Sequence, residues 1–408
     1  MSAPTLPAAF NRLAWSNLAA QSAEQIGLAA APLVAVLTLG AGAGETGLLQ
    51  TAQTLPFLLL SFPAGVLADR TSRRQLMAGA EALRALSLLA VLALAWAGLL
   101  TLPLLALLGF VGATGTVAYS VTAPSLVPAL VPRPQLSQAN GRIELARAVA
   151  FVAGPALAGA VIARVGAAPS YGAAAALSIG AVLLLAGIGE PGRVPAPPRR
   201  FLQDLREGAG FAWRQPLLRP ILLTAVFFNV AWFVLQAVYV PYAVHHLGLS
   251  AVGVGTTLAT YGIGMVAGAL LAPRITRLLP FGTVVAIGPI AGLAAALVMA
   301  TTIWFPSIDL ACASFFLIGA GPILWVISST TLRQAVTPDA LLGRVSAIIT
   351  MATAGARPVG AAIGAMIGAG YGAEACLLVA VLGFLTQALV ILASPVARLA
   401  ILPERAAS

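Results

Sequence analysis

Apolar runs of about twenty residues recur along almost the whole chain, each closed by a short polar connection, and this pattern leaves few folds open. A run of that length crosses the hydrocarbon of a bilayer as a helix, because in lipid every backbone polar group must be satisfied within the segment. Twelve such runs are placed at roughly 11–38, 46–68, 75–99, 102–127, 142–165, 170–189, 218–246, 251–272, 282–303, 308–331, 344–368 and 373–394. Of the 408 residues 60% are hydrophobic and only 8% charged, a balance that no water-soluble domain of this length could hide. The expected fold is an all-α membrane protein in intimate contact with the lipid bilayer.

The charges set the orientation. Net charge is +10, and every basic residue is arginine. Arg12, Arg70, Arg73, Arg74, Arg84, Arg133, Arg142, the cluster from Arg193 to Arg219, Arg274, Arg277, Arg333, Arg344, Arg398 and Arg405 fall at or near one face, and only Arg164 lies at the other. The positive-inside rule makes the first face cytoplasmic, and an even number of spans puts both termini there. Short loops with scattered arginines, no long basic run and no soluble domain argue against nucleic acid as a partner. Cys312 and Cys376 sit inside apolar runs, so neither a disulfide framework nor a thiolate metal site is expected. The first apolar stretch, opened by Phe10-Asn11-Arg12 and running to about Leu39, is too long for the core of a cleavable signal peptide.

A Pro-rich basic linker, Glu190 to Arg200, divides the chain into a first bundle over 1–190 and a second over 218–408. Within the connecting segment 191–217, Phe201, Leu205, Gly208 and Ala212 share one helical stripe, which predicts a short amphipathic helix on the inner membrane surface. The halves repeat weakly. Pro155 follows the Gly141-Arg142 pair by 13 residues after the Arg, and Pro358 follows Gly343-Arg344 by 14, as a duplicated six-helix unit predicts.

Polar residues are shared unevenly among the spans. The third, sixth, ninth and twelfth are almost featureless and are expected to face lipid. The others carry Asn17, Gln21, Gln50, Gln53, Tyr119, Asn229, Trp232, Gln236, Tyr239 and Tyr261, the expected lining of a small-molecule cavity. Amides and hydroxyls are costly against lipid, so they belong either to that shared interior or to interhelical hydrogen bonds. In the first span Asn17, Gln21 and Glu24 form a single stripe, with Glu24 roughly 20 Å along its helix at 1.5 Å per residue. An intramembrane carboxylate is by default functional, and Glu24 is the expected proton carrier; the other reading is a permanent ion pair, with Arg357 as partner. Glu81 with Arg84, and Glu144 with Arg147, repeat an i, i+3 spacing that serves either as helix stabilisation or, beside Asp69 and Arg70, as a cytoplasmic gating network.

The run Gly65-Val66-Leu67-Ala68-Asp69-Arg70-Thr71-Ser72-Arg73-Arg74, read as a tight loop between the second and third spans, resembles the signature loop of the major facilitator superfamily, with Ser72 where that family usually has Gly. Gly154-Pro155-Ala156-Leu157-Ala158-Gly159 is similar to the Gly-Pro element of its proton-coupled exporters. Phe10, Leu13 and Asn17, Leu55-Pro56, Glu81 with Arg84, and Leu126-Val127-Pro128 carry the resemblance over the whole chain to the enterobactin-exporter and macrolide-efflux branch, in which the acid of the first span is usually Asp rather than Glu24. The resemblance implies two pseudo-symmetric six-helix bundles that rock about a midplane site. It also implies docking of Asp69 at the helix N-terminus near Leu341–Arg344. Gating is then expected of Gly65, Asp69, Arg70, Arg73, Arg74, Glu81, Arg84, Glu144, Arg147, Gly154 and Pro155.

No Walker loop, zinc-protease motif or nucleophile elbow is present, so neither an enzyme nor a cofactor or metal is expected. The functional expectation is proton-driven export of a lipophilic or amphipathic small molecule, such as a drug or siderophore, by a monomer in the bacterial inner membrane. A lipid or lysolipid flippase, or an importer of the same fold, is the alternative. A membrane receptor would require a sensing domain that the pattern does not contain.

Overall fold

The computed structural model describes residues 6–132, 135–189 and 201–403, with the side chains of Asp69, Ser137, residues 201–204, Asp339 and Ala340 outside the description. The linker expected at 191–200 therefore lies outside the described residues. So do Arg133 and Arg405.

The helices are α1 (Ala8–Leu37), α2 (Ala43–Arg70), α3 (Arg73–Trp96), α4 (Leu102–Leu130), α5 (Leu136–Val165), α6 (Ala168–Ala186), α7 (Phe201–Arg214), α8 (Leu218–His245), α9 (Ala251–Leu278), α10 (Phe281–Thr301), α11 (Ile308–Val336) and α12 (Asp339–Leu392). All but α7 are long and apolar enough to cross a membrane. In α12 Gly372 breaks the helix at φ 83°, so the two limbs, 339–371 and 373–392, are the last two of the twelve predicted spans. Only glycine adopts that backbone without strain, and Gly166, at φ 88°, ends α5 in the same way.

The charged run from Gly65 is not a loop through its length. Helix α2 continues to Arg70, and Thr71 and Ser72 alone separate it from α3. Two local bonds make so short a turn feasible: the Thr71 hydroxyl donates back to the Leu67 carbonyl at 2.7 Å, and Ser72 Oγ accepts from the Gln75 N–H at 3.2 Å. Ser72 is thus the N-cap of α3, a task that glycine, the residue usual in the family, has no side chain to perform.

Two compact units emerge. The first holds α1, α3 to α6 and most of α2, together with Leu249–Ala259; the second holds α7, α8, α10 to α12 and the rest of α9, together with Gly42–Thr51 at the start of α2. Neither segment follows the division at the linker.

In the first unit Phe10, Leu13, Met77, Tyr119, Leu126 and Leu185 form the main apolar core. Small residues let its helices approach closely, as packing in lipid requires. A Cβ on Gly115 would lie 2.4 Å from the Ala80 carbonyl oxygen, and one on Gly154 would lie 2.4 Å from Gln25 Cβ. The second fixes α5 against the turn of α1 that carries Glu24. Arginines tie the helix ends: Arg12 donates to the Gly187 carbonyl, Arg74 to the carbonyls of Ala186 and Ile188 at 3.2 and 3.4 Å, and Arg142 to Asn11 Oδ1 at 2.8 Å.

In the second unit the same device joins α9 to α11 and α8 to α12. A Cβ on Gly319 would fall 2.1 Å from the Tyr261 carbonyl oxygen, and one on Gly360 would fall 2.3 Å from that of Val230. Helix α7 packs on protein: buried Ala212 joins Leu218, Leu222, Val345 and Ile349, and Glu207 pairs with Arg344 of α12. Two members of its apolar stripe lie on protein: a Cβ on Gly208 would fall 2.9 Å from the Arg344 carbonyl, and Ala212 is buried beside Val345 and Ile349.

Candidate functional site

The polar residues of the first unit converge on one buried ion pair. Glu81 and Arg84, one turn apart on α3, are 0% and 4% exposed. Arg84 Nη1 lies 2.8 Å from Glu81 Oε1 and 3.1 Å from Oε2. Its other donors reach two further helices. Nη1 donates to the Ala20 carbonyl of α1 at 3.0 Å, and Nη2 to Thr116 Oγ1 of α4 at 2.7 Å. A planar guanidinium with a fixed fork of donors suits a three-helix junction of this kind better than an ammonium would.

Around the pair the sequence supplies hydroxyls and amides. Tyr119 is buried with its hydroxyl near Ser16 and Asn17 and no hydrogen-bond partner among the described residues, and Ser178 of α6, buried likewise, lies beside Glu81. Glu24, half-buried and one turn beyond Ala20, lies close enough for its charge to act on Glu81. Gln53 is buried against Gly109, and Gln21 is half-buried on the stripe shared with Glu24.

Asn17, Tyr119, Glu24, Glu81 and Arg84 are therefore brought together. The pair of α3 is enclosed among α1, α4 and α6, not set in a surface network beside the turn at Thr71. The corresponding pair Glu144–Arg147 at the start of α5 behaves differently: its ends lie 3.3 Å apart with side chains 65% and 41% exposed. Arg70 is exposed, and Arg73 and Arg74 are half-buried. A Cβ on Gly65 would make only ordinary contact with Val121, at 3.8 Å. Gly154 and Pro155 are buried in α5. The docking expected of Asp69 falls on a side chain outside the described residues.

Sequence reasoning missed Ser16, Thr116 and Ser178, and it expected the spans that became α3, α6, α10 and the last limb of α12 to face lipid. Of these, α3, α6 and the last limb of α12 each turn a polar residue inward, whereas Thr283 and Thr301 of α10 are exposed. In α6, Ser170 and Ser178 are fully buried, and the Ser16 hydroxyl donates to the Ala181 carbonyl at 3.2 Å. In the last limb, buried Gln387 donates to the Pro289 carbonyl of α10 at 3.4 Å. The eight-residue spacing of Ser170 and Ser178, close to two helical turns, was the signal available.

The second unit gathers aromatic residues. Trp232 stacks on Tyr261 with centroids 5.5 Å apart, and Phe315 meets Trp232 and Tyr239 edge-on at 5.9 and 4.6 Å. These distances are those of favourable aromatic pairs. Asn229 spends its amide on the Ala225 carbonyl of its own helix at 2.9 Å, while Gln236 and Gln50 are half-buried. Arg357, half-buried in α12, lies over the Phe233 ring at 5.8 Å.

Comparison with known proteins gives one consistent answer. The model of a family described as transmembrane secretion effectors matches residues 3–404. The multidrug efflux pump Tap of Mycobacterium tuberculosis is 27% identical over 399 residues, covering 94% of this chain and 93% of that protein. The enterobactin exporter EntS of Escherichia coli is 29% identical over 314 residues, covering 76% and 72%. Among solved structures, the nucleoside transporter NupG superposes with a TM-score of 0.75 at 12% identity over 95% of this chain and 99% of that one. A bacterial homologue of the iron transporter ferroportin, in its inward-facing state, does so with 0.72 at 16% over 94% and 100%. At those identities the structures establish the fold, and the family match establishes membership: this multi-pass membrane protein belongs to the transmembrane secretion effector family of the major facilitator superfamily.

Proposed function

We propose that this transporter exports a lipophilic or amphipathic small molecule from the bacterial cytoplasm in exchange for protons, working as a monomer in the inner membrane. The observation that carries the reading is Glu24, a half-buried carboxylate on a membrane-spanning helix, within electrostatic range of the buried Glu81–Arg84 pair. A group that binds a proton there loses its charge, and the interior it faces changes with it. Relatives described as a multidrug efflux pump and an enterobactin exporter favour outward transport.

The test is protection. Cells expressing the chain, challenged with a panel of lipophilic cationic dyes and drugs that includes ethidium, are expected to retain less dye and grow at higher doses than cells carrying an empty vector. Protection that survives collapse of the proton gradient would contradict the mechanism, and increased uptake across the panel would point to an importer.

Orientation follows from the arginines. A reporter fused after Arg74 is expected to register as cytoplasmic and one near Ala168 as external; the inverse pattern would overturn the assignment.

A further inference from the structure

Resting on the reading of Glu24 as the proton carrier, we infer that Glu24 and Glu81 form one coupled proton site with Arg84 as its counter-charge, and that Arg84 is the positioning residue joining this site to α1. The geometry supplies the link. Arg84 holds Glu81 at 2.8 and 3.1 Å and grips the Ala20 carbonyl at 3.0 Å. Ala20 lies four residues before Glu24, so its carbonyl accepts the hydrogen bond that builds the helical turn carrying that carboxylate.

Among the described residues, the groups around Glu81 are Glu24 from α1, one turn beyond the Ala20 carbonyl that Arg84 holds, Arg84 on its own helix, Tyr119 with Thr116 from α4, and Ser178 from α6. Thr116, Tyr119 and Ser178 are hydroxyls that bear no charge at neutral pH. The charge balance therefore rests on two carboxylates and one guanidinium. In an interior of low polarity the two negative charges repel, so a proton gained by either changes the affinity of the other, and the titration belongs to the pair. Any change in the hold of Arg84 on Glu81 is also felt at Ala20. Proton binding is thereby connected to the packing of α1 against α3 and α4.

The experiment follows the infrared carbonyl stretch of protonated carboxyl groups in purified protein in nanodiscs as pH is varied, with no substrate added. Glu24→Gln is expected to remove a titrating component. Glu81→Gln, which keeps shape and hydrogen bonding, is expected to displace the Glu24 component along the pH axis by about one unit or more, the threshold of coupled titration. Glu81→Asp keeps the charge but draws it back from Arg84, and is expected to displace the component by a smaller, measurable amount; it decides the matter if the Gln variant does not fold. A Glu24 component that superposes on wild type in the folded Glu81 variants would overturn the inference and leave the carrier reading intact. If Glu24→Gln removed no titrating component, the carrier reading itself would fail.

Discussion

Exchange of Glu24 for Gln is expected to abolish uphill export while leaving substrate binding in place. The amide keeps the volume and hydrogen bonding of the protonated acid, so the site retains its shape, but it can neither take nor release a proton. Gradient-driven uptake of ethidium into inverted vesicles should fall at least about tenfold, equivalent to about 1.4 kcal/mol, while the dissociation constant changes by less than about threefold. Asn17→Ala and Gln236→Ala are expected to do the reverse, weakening binding with the response to the gradient retained. Normal export by Glu24→Gln would remove the carboxylate from the mechanism.

Loss of Arg84 is expected to act on the fold before it acts on transport. Arg84→Ala leaves Glu81, which is fully buried, without the cation that satisfies it, and breaks bonds from α3 to α1 and α4 at once. Removing one partner of a buried pair typically costs about 3–5 kcal/mol, far more than the pair contributes relative to an apolar replacement. The double variant Glu81→Gln/Arg84→Met removes both charges and is expected to recover most of the lost thermal stability. Melting temperatures in detergent distinguish the two; equal melting of Arg84→Ala and wild type would show that the pair is not a structural junction. The contrast with Glu144→Ala is a useful control, because that pair is largely exposed and exposed pairs contribute about 0–1 kcal/mol.

These two pairs also mark how far the sequence can be read. Glu81–Arg84 and Glu144–Arg147 have the same spacing, and nothing local distinguishes them. Burial of the first depends on Thr116 and Ser178, distant in sequence and contributed by α4 and α6. Serine and threonine in an apolar helix ordinarily bond their own preceding turn, as Thr114 does to Phe110, so an inward-facing hydroxyl is invisible until the helices are packed. The spans themselves were legible, because their length answers to the thickness of a bilayer and not to tertiary contacts.

Boundaries were less so. The run from Gly65 to Arg74 looks like a loop by charge, yet α2 persists to Arg70 and Ser72 caps the next helix. The charge pattern reports proximity to water, whereas the helix end is set by hydrogen bonds. Trp232, Tyr239 and Tyr261 were recognisable as polar-tipped aromatics in otherwise apolar spans, but Phe315, which joins them, carries no polar mark and could not be singled out.

The central claim is that a proton gradient alone drives transport through this chain. Purified protein in proteoliposomes, given an imposed pH gradient with the lumen acid and no other energy source, should accumulate ethidium above its external concentration while protons leave the lumen; Glu24→Gln under the same conditions should reach no more than equilibrium. Accumulation that is indifferent to the gradient, or equal in the two proteins, would contradict it.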